Sequence, residues 1–252
     1  MSKNFAVYPS LLKKTVFITG GASGIGAEIV SAFAKQGAKV GFLDLNLDDS
    51  KKLAKKLGDN VHFEICDLTN ISAMQASMKK LKTLIGDADI LVNNAANDDR
   101  HNWKDVTEDY WNERLSTNLR HQFFAIQDVA PEMIKKGGGS IINIGSNSWW
   151  ETGGGFPVYG TAKSAIHGLT RTMARDLGQH RIRVNTVVPG WIMTERQKKL
   201  WVTPESLKYQ QKRQCLPDLI EPVYVARMVL FLASDDSLMC TGNNYMVEAG
   251  SI

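Results

Sequence analysis

Long apolar runs are missing from this chain of 252 residues. Nothing in it approaches the ~18 consecutive apolar residues of a bilayer-spanning helix, so no membrane span is expected. Cysteine is scarce. Cys66, Cys215 and Cys240 are an odd count with no CxxC spacing, which argues against a disulfide framework or a zinc site and fits a reducing, cytoplasmic setting. The opening residues, Met1 to Pro9, lack the apolar h-region of a secretory leader. Internal repeats, low-complexity tracts and Pro/Ser-rich linkers are absent too. The formal charge is only +4, and lysines fall in short groups (Lys51, Lys52, Lys55, Lys56; then Lys79, Lys80, Lys82). Such spacing marks a solvated helix face. Without a basic stripe interleaved with aromatics, nucleic acid is not an expected partner.

What is present is a regular alternation, and 43% hydrophobic composition is enough for a full core. Thr15–Thr19, Lys39–Leu43, Val61–Ile65, Ile90–Val92, Ser140–Ile144, Ile182–Val188 and Asn244–Val247 read as strands. Between them, Gly24–Gln36, Asp48–Leu57, Ile71–Ile85, Asp109–Lys136, Tyr159–Leu177 and Val223–Ala233 carry helical patterns. Ile25, Ile29, Val30 and Phe33 share one face of the first helix, and Gly37 is placed to stop it. Strand–helix alternation predicts an α/β fold: one domain, residues 1–252, with a doubly wound parallel sheet covered by helices on both faces. From Trp191 to Pro222 the pattern turns irregular, polar and aromatic. Loops of that length are usually lids or binding loops, so 191–222 is a candidate substrate lid.

Thr19-Gly20-Gly21-Ala22-Ser23-Gly24-Ile25-Gly26 lies between the first strand and the first helix. Its glycines allow a tight turn and close approach to a pyrophosphate, and the helix N-terminus offers free N–H groups. The strand–turn–helix context is the one that this kind of loop requires. Asp44 ends the second strand, 18 positions after Gly26. A carboxylate there accepts from adenosine ribose hydroxyls and repels a 2′-phosphate, which predicts NAD rather than NADP. Capping the next helix is the other role open to Asp44, although Asp48 and Asp49 are available for that. Asp67 is placed to meet the adenine amino group, and Asn93 the adenine ribose.

Tyr159 and Lys163 stand at i and i+4, one helical turn apart. A free phenol titrates near ~10, and bringing it to about 7 takes about 4 kcal/mol. One ammonium at about 4 Å supplies an attraction of that order at an effective dielectric of about 20. On this reading Lys163 makes Tyr159 a usable base. Ser146, 13 positions earlier at the end of the fifth strand, can share the substrate oxygen, and Asn118 can help relay a proton to solvent.

Taken together, Thr19 to Gly26, Asn93-Asn94-Ala95, Asn118, Ser146, Tyr159, Lys163 and Pro189-Gly190 with Thr194 resemble the short-chain dehydrogenase/reductase family over nearly the whole chain. The resemblance implies a Rossmann-like single domain, often a homotetramer packed through its two long helices. It implies hydride transfer at a carbinol to a nicotinamide cofactor, with Asn118, Ser146, Tyr159 and Lys163 as the catalytic set. Gly20, Ser23, Gly24, Ile25, Gly26, Asp44, Asp67, Leu68, Asn94, Ala95, Pro189, Gly190, Ile192 and Thr194 would bind the cofactor. Lys163 would also hold the nicotinamide ribose, with Val188 beside the amide. Two departures stand out: Ala96 where the family usually has glycine, and Glu248-Ala249-Gly250 where Asp-Gly-Gly is common.

Three loops at the carboxyl ends of the strands are densely polar: Asn97 to His101, Ser146 to Glu151, and Trp191 with Glu195-Arg196-Gln197. Polar walls with indole faces suit a hydroxyl-rich ligand, whereas a fatty acyl chain or a steroid wants apolar ones. Asn97, Asp98, Arg100, His101, Ser146, Asn147, Trp149, Tyr159, Trp191 and Gln197 are therefore candidate substrate contacts. Asp98, Asp99, Arg100 and His101 are equally compatible with a salt-bridged turn that only shapes its loop, or with a subunit contact. Trp149 and Trp150 cannot both face one pocket from extended backbone. The segments Asn97 to His101, Asn118 to His121, Thr194 to Gln197, Gln214 to Leu216 and Leu232 to Gly242 resemble the NAD-dependent aldose 1-dehydrogenases. Their reaction is oxidation of a cyclic sugar at C1 to the lactone. A 3-oxoacyl thioester or small-ketone reductase is the enzymatic alternative, and a nucleotide-sensing scaffold without turnover the non-enzymatic one.

Overall fold

The computed structural model describes residues 4–251. Seven strands, all parallel, form one sheet in the order β3-β2-β1-β4-β5-β6-β7. They are Thr15–Thr19 (β1), Lys39–Asp44 (β2), Val61–Ile65 (β3), Ile90–Asn93 (β4), Gly139–Ile144 (β5), Ile182–Pro189 (β6) and Asn244–Val247 (β7). Every residue of β1, β4 and β6 is buried, as near-continuous apolar strands covered on both faces must be. The order reverses between β1 and β4, which opens a crevice outside the carboxyl ends of the strands.

Helices cover both faces. Gly24–Lys35 (α1) buries Ile29, Val30 and Phe33 in a core shared with Val225, Val229 and Leu230 of Pro222–Ala233 (α9). Full burial of an apolar side chain of this size stabilises the fold by about 1.5–3 kcal/mol. Phe33→Ala would cost about 3–5 kcal/mol, because a void adds to the lost transfer energy. On the opposite face, Met74, Met78 and Leu81 of Ile71–Ile85 (α3) pack with Ile126 and Met133 of His121–Lys136 (α5). Leu47–Leu57 (α2) flanks β3 and is capped by Asn46, whose side chain accepts from the Asp49 N–H. Neither Asp48 nor Asp49 is the cap, because the helix begins one residue earlier than the charge pattern implies.

Two segments depart from the sequence pattern. The long helix is not uniform: Glu108–Leu115 (α4) passes through a π-helical turn, Ser116–Arg120, before α5. Trp191–Pro222 is not irregular either. It holds Glu195–Leu200 (α7), capped by Thr194, and Pro204–Arg213 (α8), which starts with a reciprocal Thr203–Ser206 capping box. Helices of 6 and 10 residues carry too few turns for periodicity to separate them from loop. The last major helix, Pro157–Leu177 (α6), carries Tyr159 and Lys163 in its first turns.

A buried polar chain fixes α6 against the sheet. Asn93 Nδ2 donates to Asn143 Oδ1 at 2.9 Å, Asn143 Nδ2 to Thr170 Oγ1 at 2.9 Å, and the Thr170 and Thr186 hydroxyls meet at 2.7 Å. Paired in this way, the Asn143, Thr170 and Thr186 side chains avoid the roughly 1–3 kcal/mol penalty of a buried unsatisfied polar atom, while Asn93 Oδ1 is left without a partner among the described residues. Asn93 is thereby placed inside the sheet, fully buried, not beside a ribose. Its backbone is strand, and its side chain faces β5.

Candidate active site

A cleft of about 880 Å³ runs along the carboxyl edge of the sheet, toward the upper end of the ~300–1,000 Å³ usual for small-molecule sites. One end is lined by Gly20, Ser23, Ile25, Gly26, Asp44, Asp67 and Leu68, and the middle by Asn94, Ala95, Pro189, Gly190, Ile192 and Thr194. Most of the residues expected at a cofactor therefore meet in one cleft; Gly24, Asn93 and Val188 do not line it, the last two being buried in strands β4 and β6. Gly24 is not in the wall, but its φ of +54° and Thr194 at 3.3 Å from its missing Cβ explain the glycine.

The loop is built for close approach. Gly20 has φ +66°, and a Cβ on it would stand 2.8 Å from the Ala95 Cα. On Gly26 a Cβ would meet the Gly20 carbonyl oxygen at 1.8 Å. Only hydrogen fits at either place. Asn94 Nδ2 donates to the Gly20 and Thr19 carbonyls at 2.8 and 3.1 Å, holding the loop's shape. Ser23 precedes α1 without making a side-chain cap, so the first N–H groups keep their capacity for an anion. A pyrophosphate fits this cradle. Asp44 accepts from the Ala22 N–H at 2.8 Å and the Asn46 N–H at 2.9 Å, one on each oxygen. Each carboxylate oxygen retains a lone pair for a ribose hydroxyl.

Toward the other end, Ser146, Tyr159 and Lys163 line the same cleft. Ser146 Oγ accepts from the Ser148 N–H at 3.1 Å and donates to Ser148 Oγ at 2.9 Å, which sets its rotamer. Lys163, 1% exposed, donates to the Ile144 carbonyl at 2.8 Å, and its Nζ lies 5.7 Å from the Tyr159 ring centroid. Burial drives the ammonium down to about 7, against the opposing pull of Asp98. Tyr159 moves the other way. Burial and then the Asp98 charge raise its pKa above the ordinary phenol value, while the neighbouring Ser146 hydroxyl and the Arg100 charge oppose this. So Lys163 alone does not bring Tyr159 below the ordinary phenol value. Desolvation outweighs one ammonium that is itself partly discharged and is bonded to a carbonyl. His121, fully buried nearby, is held neutral, pushed down to about 4 by burial and by Lys163.

Asn118 sits in the π-helical turn and is fully buried. Its Nδ2 donates to the Arg114 carbonyl at 2.9 Å, and its Oδ1 accepts from the Asn97 N–H at 2.8 Å. Such turns are frequent at functional sites; this one ties the helix to the loop that starts at Asn97.

Asn97, Asp98, Arg100, Asn147, Trp191 and Gln197 all line the cleft near Tyr159. Gln197 Nε2 donates to Asp98 Oδ2 at 2.6 Å, and Trp191 Nε1 to Gln197 Oε1 at 2.9 Å. Arg100 lies 4.3 Å from the Phe156 ring centroid. Two expected contacts are corrected. His101 turns away: its Nε2 accepts from the Val158 N–H at 3.2 Å, and its Nδ1 meets the Tyr110 hydroxyl at 2.9 Å. Trp149 sits in a short 3-10 turn, not in extended backbone. Its Nε1 donates to His167 Nε2 at 2.9 Å and its ring packs edge-on against Trp150. The turn geometry, invisible to a period-2 reading, sends that indole outside the cleft. Asp99 is a loop-shaping residue, paired with Arg196 and Arg114; against its desolvation, a hydrogen bond with Asn97 and then these guanidiniums lower its carboxyl pKa. Sequence reasoning missed Glu151 and Arg213. Both line the cleft, but they are 62 positions apart, and no local pattern links them.

Among the described residues no group of three or more His, Cys, Asp or Glu is placed to hold a metal ion. No helix there is long and apolar enough to cross a membrane.

A parallel nucleotide-binding sheet with serine, tyrosine and lysine in the same cleft defines a dinucleotide-dependent oxidoreductase. Residues 20–251 match the family model described as enoyl-(acyl carrier protein) reductase, and the chain belongs to the short-chain dehydrogenase/reductase family, whose chemistry uses a nicotinamide cofactor. It is 50% identical over 248 residues to a D-xylose 1-dehydrogenase of Caulobacter vibrioides, covering 97% of this chain and 98% of that protein. With "Probable galactose dehydrogenase GalD" of Rhizobium meliloti it shares 44% over 247 residues, 96% of each chain. Among solved structures, a 3-oxoacyl-[acyl-carrier protein] reductase from Brucella melitensis superposes with TM-score 0.91 at 30% identity, covering 100% of this chain and 97% of that one.

Proposed function

We propose that this protein is an NAD-dependent aldose 1-dehydrogenase, which oxidises the anomeric hydroxyl of a cyclic aldose to the lactone. The observation that carries the reading is the wall around Tyr159 and Ser146. Asn97, Asp98, Arg100, Asn147 and Gln197 supply amides, a carboxylate and a guanidinium. An acyl chain would cover these polar groups without using their remaining donors and acceptors, whereas sugar hydroxyls can bond to them. The sugar-dehydrogenase names of the two relatives point the same way.

When bound, the nicotinamide dinucleotide supplies the hydride acceptor and a positive ring. The chain's residues do the rest. The Gly20–Gly26 loop and the start of α1 cradle the pyrophosphate. Asp44 receives ribose hydroxyls and repels a 2′-phosphate; the cationic side chains in the cleft wall are Arg100, Lys163, Arg196 and Arg213, none of them near Asp44 in sequence. Ser146 Oγ orients the sugar O1, and Tyr159 Oη takes its proton as C1 gives up hydride. Tyr159 acts in this step as the phenolate, its own proton having first passed to solvent; Lys163 stabilises that phenolate until it is reprotonated from O1, and Asn118 anchors the Asn97 backbone. Residues 191–222 serve as the lid, held down by the Asp98–Gln197 and Asp99–Arg196 contacts. We include in the proposal a homotetramer, supported by the exposed Trp111 and Phe123 on the long helices, and a cytoplasmic setting, supported by the three free cysteines.

The test is cofactor reduction with NAD against a panel of pentoses, hexoses and 6-deoxyhexoses, with 3-hydroxyacyl thioesters and simple alcohols as controls. Turnover confined to one or two related sugars is expected. Inert sugars with an active thioester would overturn the reading.

A further inference from the structure

Glu151 is used by nothing in the mechanism above, yet it stands in the cleft wall with Asn147 and Arg213. Its side chain is only 13% exposed and that of Arg213 21%. Asn147 Nδ2 donates to Glu151 Oε1. Arg213 Nη1 lies 3.6 Å from Glu151 Oε2, beyond hydrogen-bond length. A carboxylate has about four lone-pair sites, so these neighbours leave acceptor capacity on the side of the cleft.

The same arrangement occurs at Asp98. Gln197 donates to one oxygen at 2.6 Å, and Arg196 Nε stands 3.6 Å from the other. Each carboxylate thus has one amide donor and one neighbouring guanidinium, which is itself anchored: Arg196 to Asp99, and Arg213 to the Glu151 carbonyl. The carboxylates come from the loops after β4 and β5, and both arginines from the helices α7 and α8. A hydroxyl suits such a pair, because it donates to the carboxylate and accepts from an N–H. A phosphate does not: it would bring about two negative charges beside a carboxylate.

We propose that Glu151, braced by Asn147 and Arg213, reads a hydroxyl of the substrate, and that with the Asp98–Arg196 pair it fits the cleft to a free, unphosphorylated polyhydroxy sugar. This rests on the aldose reading above and adds to it a specificity residue and the exclusion of sugar phosphates.

The experiment compares wild type with Glu151→Gln on the best aldose, on its monodeoxy analogues and on its phosphate ester. A hydrogen bond to a charged group predicts a KM for the aldose raised about 10- to 100-fold in the variant, with a much smaller change in kcat and in KM for NAD. One deoxy analogue should lose about as much with wild type, and lose little further in Glu151→Gln. That coupling separates contact from a structural role, which would weaken all sugars alike. The phosphate ester should be inert with wild type. Should Glu151→Gln fail to fold by circular dichroism, Glu151→Asp, which keeps the charge but shortens the reach, is expected to raise KM for the aldose and not for NAD. An unchanged KM in the variant, equal losses for every deoxy analogue, or efficient turnover of the phosphate ester would overturn this proposal alone. Wild type inert toward all aldoses would overturn the aldose reading and this proposal with it.

Discussion

Asp44→Asn is the most discriminating single change for cofactor choice. The asparagine keeps the shape and one acceptor oxygen, so the loop loses only one of the bonds from the Ala22 and Asn46 N–H groups. Alanine would orphan both. What asparagine removes is charge. A 2′-phosphate carries about two negative charges. At about 5 Å and a solvent-like dielectric of about 80, repulsion by one carboxylate amounts to about 1.5–2 kcal/mol. Ribose hydroxyls lose about 1 kcal/mol more, the difference between a charge-assisted and a neutral hydrogen bond. The sum, roughly 3 kcal/mol, moves the NAD/NADP ratio of kcat/KM by about 100-fold toward NADP. Initial rates with each cofactor at a fixed sugar concentration measure it. A ratio that moves less than about threefold would refute the reasoning and place discrimination elsewhere in the cleft.

Three further outcomes follow from the geometry. Tyr159→Phe should lower turnover by at least about 100-fold, the low end of general-base catalysis, with NADH affinity nearly unchanged by fluorescence titration; residual activity above about a tenth would remove Tyr159 as the base. Lys163 is held at about 7 in the folded protein against 10.5 for the free group. Between those values the unfolded chain binds the extra proton, so stability rises with pH across that window. The melting temperature of wild type relative to Lys163→Met should therefore climb from pH about 7 to about 9.5, and parallel curves would contradict the burial argument. His101→Ala removes the acceptor for the Val158 N–H and the Tyr110 contact; it should destabilise by about 1–3 kcal/mol while sugar KM stays within about threefold. A tenfold rise in KM would restore His101 as a substrate contact.

The sheet was legible because it is local. Buried strands such as Thr15–Thr19 and Ile182–Pro189 announce themselves as apolar runs, and α1 by the spacing of Ile29, Val30 and Phe33. Tyr159 and Lys163 were legible for the same reason, since four residues make one helical turn, and the glycine loop because only hydrogen fits at Gly20 and Gly26. Helices α7 and α8 were not, being too short to show a period. Nor were the partners of the polar loops. Gln197 reaches Asp98 across 99 positions and Arg196 reaches Asp99 across 97. Glu151 meets Arg213, while His101 and Trp149 bond outside the cleft.

Sequence by itself determined the strands, the glycine-rich turn and the Tyr159–Lys163 spacing, because each depends on neighbours within a few residues. Tertiary structure alone decided which polar groups face the cleft and how tightly Tyr159 and Lys163 hold their protons. Those properties depend on burial and on charges from distant loops, and neither is fixed until the strands bring the loop ends to one edge of the sheet.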